Sequence, residues 1–198
     1  YDVYPDYKKG RKKMPEHLAN KLADIQDRFM IHSVDSLVSE TDEADDLIAT
    51  LAIKVALRGQ NVTVVSTDKC FLSLLNPNIR VYDYFNRRYL DEEYVLNKFS
   101  VKPDKLMDLW TLTGDNTNKI PGVAGIGQVT ASQLLNQYGS IKSILNATDL
   151  KNSISEKLSQ HNEQISLSRR LLTLKIDIPL GFNLKDIRLP CENALASS

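Results

Sequence analysis

The stretch Thr41-Asp42-Glu43-Ala44-Asp45-Asp46, the apolar run that carries it to Arg58 and Gly59, and then Val62-Thr63-Val64-Val65-Ser66-Thr67-Asp68-Lys69 decide the fold class. Residues 42–58 read as a helix, with acids in the first turn, where unpaired amides and the macrodipole favour them, and Gly59 as its stop. The β-branched run that follows shows no polar alternation, the pattern of a strand buried in a parallel sheet, and a further helix is expected after it. Asn76-Pro77-Asn78 makes a turn, and residues 79–85 and 88–90 form a small hairpin around Asn86-Arg87. Ahead of the stretch, Pro15 and the spacing of Leu18, Leu22, Ile25 and Phe29 predict an amphipathic helix over residues 14–30. From Asp91 onward the pattern is helical. Pro103 opens a segment whose Leu106, Leu109, Trp110 and Leu112 are core positions, and residues 155–175 read as one long helix. Helix and strand alternate in the first half and helices alone fill the second, so the class is α/β with a helical region.

At 198 residues the chain is one domain, or a domain with an appendage, by the usual scale of roughly 150 residues per domain. Its 42% hydrophobic and 25% charged residues exclude disordered and collagen-like classes. No run approaches the roughly 18 to 20 apolar residues of a membrane helix, so no membrane partner is expected. Cys70 and Cys191 lack disulfide-framework or zinc spacing, which points to a reducing, cytoplasmic setting without a disulfide-linked partner. The chain starts at Tyr1 with no signal-peptide core, and it is expected to lack its natural beginning. Lys plus Arg equals Asp plus Glu at 25 each, but the charge is uneven. Residues 1–13 carry five cations, two acids and interleaved tyrosines, whereas residues 35–46 carry six acids and neither Lys nor Arg. A basic aromatic arm suits single-stranded nucleic acid, and an acidic cluster suits divalent cations; either also suits a solvated face.

Three constellations carry candidate chemistry. Glu43 and Asp46 share a helix face at i, i+3, with Asp45 turned aside, so the trio flanks a site; Mg²⁺ or Mn²⁺ would relieve their mutual repulsion, and the helix N-terminus alone also accommodates them. Asp68 stands just past the carboxyl end of the strand, where open α/β sheets hold ligands, or else caps the segment that follows. Gly114, Gly122, Gly125 and Gly127 crowd four of eight glycines into one loop. Gln128-Val129 excludes a Walker-type loop, and the absence of a preceding strand excludes a dinucleotide fingerprint. What remains is a glycine hairpin between helices, whose amides can hold a DNA phosphate without reading a base and whose carbonyls can face a monovalent cation.

Tyr7-Lys8-x-x-Arg11 with Met14-Pro15-Glu16, Glu43-Ala44-Asp45-Asp46, Ser66-Thr67-Asp68-Lys69 and Ile120-Pro121-Gly122-Val123-Ala124-Gly125-Ile126-Gly127, in this order, resemble the 5′-nuclease (flap endonuclease) family. Its members include the 5′→3′ exonuclease domain of bacterial DNA polymerase I and, most similar, the exonuclease IX-like Xni group. The resemblance implies a PIN-like parallel-sheet nuclease core over residues 1–99, with a basic arch segment over 1–15. A helical C-terminal region over 100–198 would follow, with a helix-three-turn-helix DNA-binding hairpin over 112–130. The family's first strands, with two further acids, would precede Tyr1. By position, Lys8 and Arg11 would act at the scissile phosphate and bind DNA. Glu43, Asp45, Asp46, Asp68 and Asp115 would hold Mg²⁺ or Mn²⁺. The carbonyls of Leu112, Thr113, Pro121, Val123 and Ile126 would hold K⁺, and Gly125, Ile126, Gly127, Gln128, Val129 and Thr130 would meet DNA. The resemblance also implies that typical members carry Asp where this chain has Cys70 and Asn118; both losses fall on the second metal, and the Xni group shares them. The implied function is cleavage of 5′-flapped or branched DNA. The alternative is a branched-DNA binding protein of the same fold, short of carboxylates and cutting weakly or not at all.

Overall fold

The computed structural model describes Tyr4 and residues 14–187. Lys8, Arg11 and Cys191 lie outside the described residues.

Helices α1 (Glu16–Ala19) and α2 (Leu22–Ile31) come first. The expected single helix over 14–30 is therefore divided: the Lys21 amide bonds the Leu18 carbonyl three residues back, a tight turn that interrupts the α-helical ladder. Leu18, Leu22, Ile25 and Phe29 do recur on this segment, but they are 37–48% exposed and form no part of the core.

Helix α3 (Ala44–Ala56) starts from an extended Glu43 and gives way at Leu57 to Gly59, which sits at φ +74°, where a side chain is disfavoured. Its buried residues are small (Ala49, Thr50, Ala52), which lets the helix axis approach strand β1 (Val62–Val65) closely. β1 pairs in parallel with β2 (Ile79–Asp83), register Val62↔Ile79 to Val65↔Tyr82, and β2 pairs antiparallel with β3 (Arg88–Leu90). The sheet of the described residues runs β1-β2-β3. The connection from β1 to β2 is short for a parallel crossover. It holds a 3₁₀ helix, Lys69–Leu74, where the sequence predicts an α-helix, and Phe71 and Leu72 drive this tighter turn into the core. Between β2 and β3, Asp83 accepts from the Asn86 amide (3.1 Å) and side chain (2.7 Å), and Arg87 takes φ +49°.

The helical half follows: α4 (Glu92–Phe99), a 3₁₀ turn at Pro103–Lys105, α5 (Leu106–Thr113), α6 (Gln128–Tyr138), α7 (Ile141–Leu145), α8 (Asn152–Gln160) and α9 (Asn162–Leu172). α5 is the central element. Leu106, Leu109, Trp110 and Leu112 are all buried, as their spacing predicts, and the helix packs on both α6 and α9. The long helix expected over 155–175 is two helices. At His161 the amide splits between the carbonyls of Lys157 and Leu158, the ring donates from Nδ1 to the Lys157 carbonyl at 2.7 Å, and α9 restarts at Asn162. α9 stops at Leu172, Thr173 takes an extended backbone, and residues 173–180 form neither helix nor strand. One continuous apolar cluster runs from Ala52, Val64 and Phe71 through Leu109 and Leu135 to Ile165, so both halves share a core. Among the described residues no helix is long and apolar enough to cross a membrane.

Candidate metal centre

The N-terminus of α3, the carboxyl end of β1, the Gly114–Gly122 loop and the segment after α9 meet around a cleft of about 410 Å³. Glu43, Asp45 and Asp46 reach it from α3, Asp68, Lys69 and Cys70 from the end of β1, and Asp115 and Asn118 from the loop. All five carboxylates that the sequence singles out thus border one cleft, although they come from segments more than 70 residues apart. Ligand atoms of Asp45, Asp68 and Cys70 lie within 4.8 Å of one another.

Each side chain is held by a definite local cause. Asp68 caps the 3₁₀ helix, its Oδ1 accepting from the Cys70 amide at 2.9 Å, while its own amide donates to Ser66 Oγ at 3.0 Å. The capping and the cluster position coincide, so the two sequence readings of Asp68 are compatible. Asp46 Oδ1 accepts from the Lys175 amide at 2.9 Å. Asp115 is differently placed. Its buried carboxylate pairs with Lys69 Nζ at 2.8 Å and accepts from the Asn118 side chain at 2.8 Å and the Thr117 amide at 3.1 Å. Burial pushes its pKa up, but Lys69, then Asn118 and the Thr117 amide, outweigh that and hold it below the usual carboxylate value. Burial, and then the charges of Asp68 and Asp45, push the Cys70 thiol far up, so it is a neutral thiol among acids.

The donor set suits a hard divalent cation through the Asp45 and Asp68 oxygens, and the Cys70 thiol beside them offers such an ion little. A softer ion would meet one sulfur and several oxygens.

The glycine loop is tight for reasons of backbone contact. Gly114 takes φ +78°, and a Cβ on it would lie 2.5 Å from the Gly122 amide nitrogen; a Cβ on Gly122 would overlap the Thr113 carbonyl. Asp115 and Ile120 form an antiparallel bridge across the loop. Gly125 has φ +72°, and its carbonyl accepts from Lys157 Nζ at 3.2 Å. Gly127 differs: at φ −88° it is extended, and a Cβ there meets nothing within 4 Å, so no intramolecular contact requires glycine at that position. It is the N-cap of α6 without a side-chain cap, Gln128 turns to the Lys98 carbonyl, and Val129 is exposed. Among the carbonyls expected to face K⁺, those of Leu112, Pro121 and Val123 already accept from the Val123 amide (2.7 Å), Ser168 Oγ (2.6 Å) and the Ile126 amide (3.0 Å).

The family model described as "5'-3' exonuclease, N-terminal resolvase-like domain" matches residues 1–100, and that described as "5'-3' exonuclease, C-terminal SAM fold" matches residues 101–194. The chain belongs to the 5′-3′ exonuclease family. Within this family it is 73% identical over 189 residues to the flap endonuclease Xni of Colwellia psychrerythraea, covering 96% of this chain and 65% of that protein. It is 49% identical over 186 residues to the Photobacterium profundum Xni, covering 94% and 72% respectively. The chain thus spans about two thirds of the length of the Colwellia relative. Among solved structures, bacteriophage T5 5′-exonuclease with divalent zinc ions superposes with a TM-score of 0.74 at 21% identity, over 88% of this chain and 69% of that one. A DNA and metal complex of the T5 flap endonuclease gives 0.73, also at 21% identity, over 88% of this chain and 69% of that one. These likenesses identify the exonuclease fold: a resolvase-like α/β half followed by a SAM-like helical half.

Three further residues line the cleft without a sequence signal for it: Lys69, Trp110, which is also core, and Lys175, which lies beyond the end of α9. Only contacts across the fold reveal them.

Proposed function

We propose that this chain is a metal-dependent 5′ nuclease that hydrolyses phosphodiester bonds in 5′-flapped or branched DNA, in the bacterial cytoplasm, in replication and repair. The observation that carries the reading is the convergence of Asp45 and Asp68, with Glu43 and Asp46 beside them, on one cleft. The names of the relatives support it. Glu43, Asp45, Asp46 and Asp68 would hold Mg²⁺ or Mn²⁺, which when bound would activate water and stabilise charge on the phosphate. Asp115 serves this site from behind, as the buried counter-charge that sets Lys69. Residues 1–99 would form the nuclease core and 100–198 the helical region. In the latter, Gly125 to Thr130 present the first turn of α6 to the DNA backbone, and the carbonyls of Leu112, Thr113, Pro121, Val123 and Ile126 would hold K⁺. Lys8 and Arg11 would contact phosphates.

A labelled 5′-flap duplex incubated with Mg²⁺, beside a binding measurement in EDTA, tests the reading. Cleavage at the branch point that EDTA abolishes is the expected result. Binding in EDTA without cleavage at any Mg²⁺ concentration would replace it with the branched-DNA binding protein, which the neutral Cys70 thiol inside the cluster favours. Replacing Na⁺ by K⁺ should tighten duplex binding if the loop holds K⁺, and leave it unchanged otherwise. Lys8→Ala with Arg11→Ala should flatten the salt dependence of binding by roughly one unit of slope or slightly less per lost contact.

A further inference from the structure

Beyond α9 the chain runs along α3, held by three side chains at successive helical turns. Asp46 Oδ1 accepts from the Lys175 amide (2.9 Å), Thr50 Oγ1 donates to the Lys175 carbonyl (3.2 Å) and accepts from the Ile178 amide (3.4 Å), and Lys54 Nζ donates to the Ile178 carbonyl (2.8 Å). Residues 46, 50 and 54 are spaced i, i+4, i+8, so they form one stripe on the helix. The stripe ends in the acidic cleft. Thr50 is fully buried and Ile178 nearly so, which makes the middle of this ladder a water-free anchor. At its cleft end, Lys175 Nζ pairs with Asp42 Oδ1 at 2.9 Å, while Asp42 Oδ2 accepts from Thr41 Oγ1 at 3.1 Å and lies 3.3 Å from Ser39 Oγ. Both oxygens of Asp42 are thereby engaged away from Asp45 and Asp68.

We infer that residues 173–178 are a positioning strap for the metal carboxylates, through which the helical half fixes the Asp46 side chain and keeps Asp42 out of the cation's ligand set. The inference rests on the cation reading of the cleft proposed above. Its physical basis is ordinary for metal sites: a carboxylate ligand is oriented by a donor on its other oxygen, and loosening that donor weakens the metal. Here the donor is a main-chain amide, so its position depends on where the strap lies, and the strap's position depends on Thr50.

Thr50→Val removes the hydroxyl in nearly the same volume and changes no charge at the cleft, while Thr50→Ser restores the hydroxyl. Trp110, the chain's single tryptophan, borders the cleft, so quenching by paramagnetic Mn²⁺ reports occupancy without any nuclease assay. Thr50→Val is expected to raise the Mn²⁺ midpoint roughly tenfold and Thr50→Ser to return it near the starting value. In flap cleavage, the Thr50→Val defect should shrink at saturating cation at a temperature where circular dichroism shows the variant fully folded without cation, so that cation-driven refolding does not contribute. If Thr50→Val does not fold, Lys54→Met, which releases only the far end of the strap, should still shift the midpoint in the same direction. An unchanged midpoint in folded Thr50→Val, or in Lys54→Met where that variant alone folds, overturns the strap while leaving the cation site standing. Absence of Mn²⁺ quenching in the unsubstituted chain overturns the cation reading itself.

Discussion

Lys69 serves two neighbours from the first turn after β1. Its Nζ lies 2.8 Å from the buried Asp115 carboxylate and 5.5 Å from the centre of the Trp110 ring. Lys69→Met should leave the buried Asp115 carboxylate without its counter-charge, though still bonded to Asn118 and the Thr117 amide. For a fully buried pair that costs about 3 to 5 kcal/mol; with Lys69 partly exposed, a loss of about 2 kcal/mol is expected in denaturant unfolding. The same pair sets an acid limb. The Asp115 carboxyl ionises below its ordinary value of 3.8 in the folded chain, so its stabilisation is complete above that value and disappears as the pH falls through the lowered folded value. Melting temperature followed from pH 6 downward should drop in that window, and Lys69→Met should flatten the drop. Cys70 and Asn118 are not equivalent. Cys70→Asp places a third hard oxygen donor beside Asp45 and Asp68 and should tighten Mg²⁺ about tenfold by calorimetry. Asn118→Asp instead replaces the donor at 2.8 Å from Asp115 with a second carboxylate, so without cation it should lower the melting temperature. The acids themselves were legible in the sequence because Glu43, Asp45 and Asp46 share one helix turn and Asp68 ends a strand. The Lys69 to Asp115 pair spans 46 residues and the Lys175 to Asp42 pair 133, distances at which spacing carries no signal.

Among the elements, the glycine loop separates two uses of glycine that the sequence shows as one cluster. Gly114 and Gly122 exist for backbone contact within the chain: Gly122→Ala drives a methyl group into the Thr113 carbonyl, and it should cost several kcal/mol or prevent folding. Gly127 has open space at its Cβ position and an ordinary φ, so Gly127→Val should cost only what a poorer N-cap costs, about 1 kcal/mol or a drop of roughly 2 to 4 °C in melting temperature. If the first turn of α6 meets DNA, the same substitution should weaken duplex binding and spare Mn²⁺ binding; unchanged DNA affinity would reduce the loop to a connector. Strand β1, the hairpin and α5 were readable from composition and period, since each buries a continuous run or one helical face. The break at His161 was not, because apolar positions continue at helical spacing through it and only the ring contact to the Lys157 carbonyl marks the turn. Nor was the course of residues 173–178, whose main-chain groups at Lys175 and Ile178 are held by side chains of α3.

At the scale of the whole molecule, the shared core decides how the chain unfolds. Ala52, Val64 and Phe71 from the α/β half and Leu106, Leu135 and Ile165 from the helical half belong to one buried cluster, and the strap ties the end of the helical half back onto α3. Neither half can open without exposing apolar surface of the other, so the two family-model halves should melt together. Calorimetry is expected to show a single transition whose van't Hoff and calorimetric enthalpies agree. A cation held in the cleft as proposed would join α3 to the end of β1 and bind the folded chain alone, so it should move that transition as a whole. At Mn²⁺ one hundred times its dissociation constant the gain is about 2.7 kcal/mol, which for a chain of this size corresponds to roughly 5 to 10 °C. Two resolved transitions, with only the lower one shifted by Mn²⁺, would show that the helical half folds independently and that the continuous core does not couple them. A single transition that Mn²⁺ fails to move would leave the cooperative core intact and remove the cation from the cleft.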